Sequence, residues 1–307
     1  MIAPPVYMLS WHGCDHDGYQ GGGHDSPVGT QWTDVWGVRW HKIQKGVMGF
    51  PVHHPLANPT QTFNDYIWPE PDDARLYSKI YQMKDEFKGV DLFLCGSHRD
   101  PLWEKAHMLV GMEEMMRLFY EEPDLARKIL GHIMDFQLGI AEHYLQAGVE
   151  IIFMVEDLGT QRGPLLGPRI VNEFFVPEYE RLLKMYRERN VLIWWHSCGN
   201  VDAILDMLMD LDVVILNPVQ ATANNLKRVR AVTNGRMALD GGISSPIIME
   251  GPIDRIRQEV RQRIWQLGQD GGYFCGPDQY LDFPEAHIKA LHEAVEEFGT
   301  YPLQPLI

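Results

Sequence analysis

The amino-acid sequence predicts an α/β protein, a TIM-like (β/α)8 barrel built as a single domain with a loop-rich N-terminal segment. From residue 72 onward, short apolar runs alternate with longer amphipathic runs. Continuous apolar strands separated by helices are typical of a parallel sheet buried on both faces. The chain has 307 residues, 45% of them hydrophobic, which suits one large barrel. An open doubly wound sheet is the alternative, but no G-x-G-x-x-G follows the first strand.

Residues 1–70 are predicted to form a loop-rich segment that contributes to the barrel mouth, and residues 71–307 the barrel itself. The first part is rich in Gly, His, Trp and Pro and shows little helical periodicity. We predict a hairpin around "TDVWGVRWHKI" (33–43) and interpret the glycine-rich loop "WHGCDHDGYQGGGH" (11–24) as a lid over the mouth. His12, Cys14 and His16 alternate within it, but their glycine-rich context favours a mobile loop over a second metal site.

Apolar runs predict six strands after residue 72, and two more are expected, one near "VYMLSW" (6–11) and one in the loop-rich segment. An Asp100-Pro101 pair and Pro284 suit helix starts, and Gly299 suits a helix end. The predicted strands are 90–96, 149–157, 191–199, 211–218, 235–242 and 271–277. The predicted helices are 73–88, 101–118, 123–147, 169–189, 200–210, 224–233, 252–268 and 284–298.

The overall charge and composition argue against several classes of partner. The formal net charge is −15 and the pI is about 5.3, without a Lys/Arg cluster, so nucleic acids and anionic membranes are not expected partners. No apolar run approaches the roughly 20 residues of a bilayer span, and the N-terminus does not resemble a signal peptide. Four widely spread cysteines do not suggest a disulfide framework. We therefore predict a cytoplasmic protein with reduced thiols and leave its oligomeric state open.

Polar side chains cluster where the predicted strands end, which is where barrels carry their active sites. Glu156 and Asp157 are adjacent, so only one can face the mouth, as a metal ligand or a general acid. A helix-capping or salt-bridged carboxylate is the alternative. Position alone makes Asn217, Gln220 and Asp240 candidate substrate or cofactor contacts.

A histidine and two cysteines stand out among these strand ends. His196 and Cys198 are two positions apart on a strand, so their side chains should share one face. Cys275 lies at the corresponding end of a later strand. One imidazole and two thiolates suit Zn²⁺ with a fourth position open for substrate. Two ordinary buried cysteines are the alternative, and spacing alone does not decide between them.

Several segments resemble a known family. They are "DVWGVRW" (34–40), "DYIWPEPDD" (65–73), "EDLGTQRGPLLGP" (156–168), "HSCGNV" (196–201), "LNPVQ" (216–220), "ALDGGI" (238–243) and "GGYFCGPDQY" (271–280). Together they resemble the uroporphyrinogen decarboxylase superfamily, whose fold is a TIM-like barrel. Its corrinoid-dependent methyltransferase branch, of the methylcobalamin:coenzyme M methyltransferase or O-demethylase methyltransferase I type, holds zinc with His-x-Cys and a distant Cys. That pattern matches His196, Cys198 and Cys275.

The sequence also departs from the family. An extra N-terminal helical segment is usual there, and the decarboxylases proper carry N-terminal arginines that clamp porphyrin carboxylates. Here no arginine precedes Arg39. An acidic chain without those arginines is not expected to bind a polyanionic porphyrin.

The resemblance implies a zinc-dependent methyltransferase that acts between a small methylated substrate and a corrinoid, as methylcobalamin or Co(I) cobalamin. A separate corrinoid-binding protein is the expected partner, because the chain lacks an Asp-x-His-x-x-Gly fingerprint. Aromatic residues expected at the mouth, Tyr280 among them, favour a methoxylated aromatic substrate. The alternatives are a metal-free decarboxylase of a smaller acid and a non-catalytic docking partner of a corrinoid protein.

Overall fold

A computed structural model describes residues 6–9, 26–45, 49–279 and 281–306. Two compact units divide the chain. The first comprises residues 1–156 and 169–192, and the second comprises residues 157–168 and 193–307.

The first unit contains a parallel and an antiparallel sheet. Its strands are β1 (Val6–Leu9), β2 (Gln31–Thr33), β3 (Arg39–His41), β4 (Phe50–His53), β5 (Phe93–Arg99) and β6 (Ile151–Val155). Strand β5 pairs in parallel with β1 and with β6, while β2, β3 and β4 form a separate antiparallel sheet. The predicted strand near residue 6 and the predicted hairpin are therefore confirmed, and Trp32 lies opposite Trp40 in the hairpin.

The second unit contains the remaining parallel strands. These are β7 (Leu192–His196), β8 (Ile215–Asn217), β9 (Ala238–Ile243) and β10 (Tyr273–Pro277), of which β7 begins one residue before the unit boundary. Strand β8 pairs with β7 and β9, and β9 pairs with β10, all in parallel. All six strands predicted beyond residue 72 are present. The α/β class is confirmed, and a closed eight-stranded barrel stays a prediction.

Helices separate the parallel strands in both units. They are α1 (Pro59–Thr62), α2 (Ser78–Glu86), α3 (Trp103–Val110), α4 (Met112–Glu121), α5 (Pro123–Ala147), α6 (Pro168–Ile170), α7 (Val176–Arg187), α8 (Leu205–Asp210), α9 (Leu226–Thr233), α10 (Ser245–Glu250), α11 (Ile253–Leu267) and α12 (Glu285–Phe298). A 3₁₀ turn covers Ala74–Leu76, and a π-helical turn covers Val171–Phe175. Across the described residues, none of these helices has the length and apolar character to cross a membrane.

Local chemistry explains where the helices begin and end. Helix α5 has the predicted limits: it starts on a proline, which suits a first helical turn, and it stops at Gly148, whose φ of 83° is left-handed. The predicted helix 101–118 is instead two helices, because Gly111 with a φ of 95° interrupts it between α3 and α4. The short helices α1 and α10 were not predicted.

His98 on β5 is a buried polar residue in the core of the first unit. Its Nδ1 lies 2.7 Å from Oε1 of Gln137, and its Nε2 lies 2.7 Å from the hydroxyl of Tyr186. Both ring nitrogens therefore have partners. Burial lowers the pKa of His98 to about 4, because the charged form is poorly solvated there.

Acid should therefore weaken the fold through His98. The folded-state pKa lies below the ordinary value of 6.5, so the unfolded chain takes up the proton first as the pH falls from about 6.5 to 4. We expect the wild type to lose roughly 3 kcal/mol of unfolding free energy over this window relative to His98→Asn, which cannot titrate. Urea unfolding at pH 7.5 and pH 4.5 measures this, with the exposed His292→Asn as control. Equal acid sensitivity of the wild type and His98→Asn would contradict the prediction.

Candidate active site

Strand β7 carries His196 and Cys198 to one face. Burial alternates along the strand and beyond it: Ile193, Trp195 and Ser197 are buried, while Trp194, His196 and Cys198 are half-buried. Ser197 faces the opposite side, where its Oγ accepts a hydrogen bond from the backbone N–H of Leu158 at 3.0 Å. His196 and Cys198 thus share a face, as strand periodicity predicts.

The turn after β7 packs closely against the backbone of residues 159–160. Gly199 has a φ of 82°, which favours glycine. Its N–H donates to Oε1 of Gln220 at 3.0 Å, and the N–H of Asn200 donates to the carbonyl of Thr160 at 2.7 Å. Gln220, a predicted substrate contact, therefore supports the turn that carries Cys198. Gly159 packs so closely that a Cβ there would overlap the carbonyl oxygen of Cys198.

Asp157, His196 and Cys198 bring three potential metal ligands together. Their donor atoms all lie within 4.8 Å of one another. Among the described residues, these three side chains are the group of His, Cys, Asp and Glu that could hold a metal ion. The Nε2 of His196 lies 3.4 Å from Sγ of Cys198 and 3.6 Å from Oδ1 of Asp157. That carboxylate oxygen also accepts the N–H of Cys198 at 2.6 Å. Sequence reasoning left Asp157 undecided, and the structure places it in the group.

Gln279 is a contact that sequence reasoning missed. Its Nε2 donates to Sγ of Cys198 at 3.0 Å. The residue lies in the "GGYFCGPDQY" segment, but an isolated glutamine has no spacing that reveals its partner. An N–H donor on the sulfur favours the thiolate, the form that binds metals.

The structure does not bring Cys275 into this group. Along β10, Tyr273 and Cys275 pack against an apolar cluster that includes Ile243 and Val260, so they point away from the face of Phe274. Phe274 aligns with Asp240 on β9, whereas Cys275 aligns with Gly241. Burial raises the pKa of the Cys275 thiol to about 12. Successive side chains of a strand point to opposite faces of the sheet. Cys275, one position after Phe274, therefore points away from the face on which Asp240 and His196 lie.

Asn217 and Asp240 link His196 to the neighbouring strands. Nδ1 of His196 lies 2.6 Å from Oδ1 of Asn217, and Nδ2 of Asn217 donates to Oδ2 of Asp240 at 2.8 Å. Burial raises the pKa of Asp240 to about 6, against the opposing effect of the Asn217 and Gly241 hydrogen bonds. Both residues were predicted as substrate or cofactor contacts, and both here contact protein groups.

Glu156 has a separate environment in the first unit. Its fully buried carboxylate accepts hydrogen bonds from the N–H groups of Leu102, at 3.0 Å, and Trp103, and from the hydroxyl of Tyr179 at 3.1 Å. Burial raises its pKa to about 8, while the backbone hydrogen bonds act in the opposite direction. These contacts at the start of α3 favour the capping alternative for Glu156. Tyr280 and the predicted loop residues His12, Cys14 and His16 lie outside the described residues.

The second unit therefore combines parallel strands with a His/Cys/Asp group in which His196 ends β7 and Cys198 follows it. Polar groups at the carboxyl end of a parallel strand are typical of α/β enzymes. The family model described as uroporphyrinogen decarboxylase (URO-D) matches residues 62–298. The chain belongs to the uroporphyrinogen decarboxylase family.

Two relatives show the level of similarity. A uroporphyrinogen decarboxylase from Mannheimia succiniciproducens is 22% identical over 250 residues, which span 75% of this chain and 66% of that protein. The structure of a methyltransferase from Methanosarcina mazei matches with a TM-score of 0.70 and 22% identity, covering 87% of this chain and 77% of that one. At this identity, the structural match supports the fold.

Proposed function

We propose that this protein is a zinc-dependent methyltransferase. It moves a methyl group between a small methylated substrate and a corrinoid held on a partner protein. The Asp157–His196–Cys198 group is the observation that carries the proposal, because metal-free decarboxylation does not require an imidazole and a thiol beside a carboxylate. The fold similarity to a methyltransferase is consistent with it.

The donor set fits zinc. Imidazole nitrogen, thiolate sulfur and carboxylate oxygen are the ligand atoms that Zn²⁺ takes, and three protein ligands leave a position for a substrate atom. Asp157, His196 and Cys198 are the proposed ligands, with side chains of Asp157 and His196 that are 40% and 20% exposed. Cys275, the third ligand that the family resemblance implies, is not among the proposed ligands, because it packs against the apolar cluster. When bound, zinc would act as a Lewis acid toward the heteroatom that carries the methyl group.

The chain's own residues prepare this chemistry. The carboxylate of Asp157 accepts a hydrogen bond from the backbone N–H of Cys198, and the amide of Gln279 donates to the Cys198 sulfur. A partner-held Co(I) corrinoid would supply the electron pair of the new bond to the methyl carbon. The substrate oxygen would keep the electron pair of the broken carbon–oxygen bond and take up a proton from water, and zinc held by Asp157, His196 and Cys198 would stabilise the charge that develops on this oxygen.

A methoxylated aromatic is the proposed substrate. Trp194 lies on the face of His196, and Phe274, which is 46% exposed, lies in the same row of strand residues as Asp240. Aromatic side chains on that face suit a flat apolar ring. The corrinoid is proposed to arrive on a separate corrinoid-binding protein, and a cytoplasmic location stays a prediction.

Decarboxylation of a smaller acid is the second candidate. The family model and the Mannheimia relative favour it, since both bear the name of a decarboxylase. On this alternative, Asp157, His196 and Cys198 bind no metal, and zinc would not be needed for activity.

One experiment separates the two candidates. The purified protein is analysed for zinc and then incubated with Co(I) cobalamin and methoxybenzenes, methanol, methylamines or methyl thiols, while methylcobalamin formation is followed by absorbance. We expect about one equivalent of zinc, and methyl transfer from methoxybenzenes that falls at least about 100-fold in Cys198→Ser. Cys95→Ser, in the first unit, is the thiol control.

Two results would overturn the proposal in different ways. Zinc below half an equivalent, with activity unchanged in Cys198→Ser, would reject the metal. Turnover of only the non-aromatic donors would reject the aromatic substrate while leaving the methyltransferase in place.

A further inference from the structure

His196, Asn217 and Asp240 form a hydrogen-bonded row across neighbouring strands. His196 on β7 aligns with Asn217 on β8, and Nδ1 of His196 lies 2.6 Å from Oδ1 of Asn217. On the other side, Nδ2 of Asn217 donates to Oδ2 of Asp240 at 2.8 Å. The backbone reinforces the row, because the N–H of Ser197 donates to the carbonyl of Asn217 at 2.8 Å. Asn217 is only 6% exposed, so water has little access to its amide.

The donors and acceptors of this row fix its direction. An ionised carboxylate only accepts hydrogen bonds, so Asp240 requires the amide nitrogen of Asn217 to face it. The amide oxygen of Asn217 must then face His196, and an oxygen can only accept. Nδ1 of His196 therefore carries the proton, and Nε2 is left with its lone pair. That Nε2 is the atom that faces Cys198 and Asp157.

We propose that Asn217 and Asp240 are positioning residues that hold His196 in the Nδ1–H tautomer, with its Nε2 lone pair directed at the Cys198–Asp157 side. Neither residue would need to touch substrate. Metal-binding histidines work best when the other ring nitrogen donates to a fixed acceptor, because this sets both the tautomer and the ring orientation. The consequence for zinc rests on the proposed function, whereas the tautomer does not.

A purely structural role predicts something different. If the row served only to join three strands, its loss would lower stability without changing which nitrogen of His196 is protonated. The neutral imidazole of free histidine favours the Nε2–H tautomer, so without the acceptor the proton should lie on Nε2 in part of the population. The tautomer is therefore the measurement that distinguishes positioning from packing.

Nitrogen-15 NMR of the metal-free, histidine-labelled protein at pH 8 measures the tautomer directly. His196→Gln identifies the signal. We expect the wild type to show an unprotonated Nε2 at His196, and Asn217→Leu to show a mixture of tautomers. Zinc affinity, measured by competition with a chromophoric chelator, should fall about 10- to 100-fold in Asn217→Leu.

Two variants at Asp240 test the far end of the row. Asp240→Asn keeps an acceptor oxygen for Asn217 and should retain zinc affinity within about threefold, whereas Asp240→Leu should resemble Asn217→Leu. The matched control is Thr233→Val, which removes other hydrogen bonds in the second unit: Oγ1 of Thr233 donates to the carbonyl of Val229 and accepts from Nη2 of Arg230. This control should change neither the tautomer of His196 nor the zinc affinity. Thermal unfolding shows which variants are folded. If Asn217→Leu does not fold, Asp240→Leu takes its place in both measurements.

The outcomes separate this inference from the proposed function. A wild-type His196 with a protonated Nε2, or an unchanged tautomer in both Asn217→Leu and Asp240→Leu, overturns the positioning role whether or not zinc binds. A wild type that binds no zinc but shows the expected tautomers overturns the proposed function and leaves the positioning role standing.

Discussion

Replacing Asp157 by alanine is expected to lower zinc affinity by about 100-fold or more, whereas Cys275→Ser should change it by less than about threefold. The donor atom of Asp157 lies within 4.8 Å of those of His196 and Cys198. Cys275 instead packs against the apolar cluster beside Ile243 and Val260. Competition with a chromophoric chelator measures both affinities, and methyl transfer to Co(I) cobalamin follows their effect on activity.

The result also decides between two ligand sets. The family resemblance implies Cys275 as the third ligand, and the structure supports Asp157 in that position. If Cys275→Ser loses zinc while Asp157→Ala keeps it, β10 must rearrange when the metal binds, and the proposed ligand set is wrong. Asp202→Asn serves as control for the loss of a carboxylate, since Asp202 follows the same turn without belonging to the group.

Gly159→Ala is expected to disrupt the site without removing any ligand. Its Cβ would overlap the carbonyl oxygen of Cys198 and lie 2.8 Å from the carbonyl oxygen of Asn200. These are backbone atoms in a hydrogen-bonded turn, so the turn itself must move. We expect a loss of about 2–3 kcal/mol in unfolding free energy and at least a tenfold loss of zinc affinity.

Gly163→Ala is the matched control, because it lies in the same loop and a Cβ there meets nothing within 4 Å. Chemical denaturation and zinc titration of the two variants provide the comparison. Wild-type stability and affinity in Gly159→Ala would mean that the turn around Cys198 tolerates displacement, and the close fit would then have no role in positioning the thiol.

Much of the local structure could be predicted from the sequence. Six apolar runs became six parallel strands, and the helix predicted at 123–147 has those limits in the structure. Periodicity also predicted that His196 and Cys198 share a face. These features depend on neighbours within a few residues, so a single segment contains the information that determines them.

The site depended on information that no single segment holds. Cys275 and Phe274 differ by one position, and only the register of β10 against β9 shows that Phe274 aligns with Asp240. Similarly, nothing local indicates that Gln279 contacts the Cys198 sulfur. Such pairings follow from how separate strands align and pack, where a shift of one residue exchanges the two faces.

By itself, the sequence determined the α/β class, the strands and the His-x-Cys pair, because hydrophobic periodicity encodes burial directly. Tertiary structure alone decided that Asp157 joins His196 and Cys198, that Cys275 packs among apolar side chains, and that Asn217 and Asp240 continue the row from His196. The physical reason is that metal ligands and hydrogen-bond partners are selected by distances of a few ångströms between residues far apart in the chain, and strand register sets those distances.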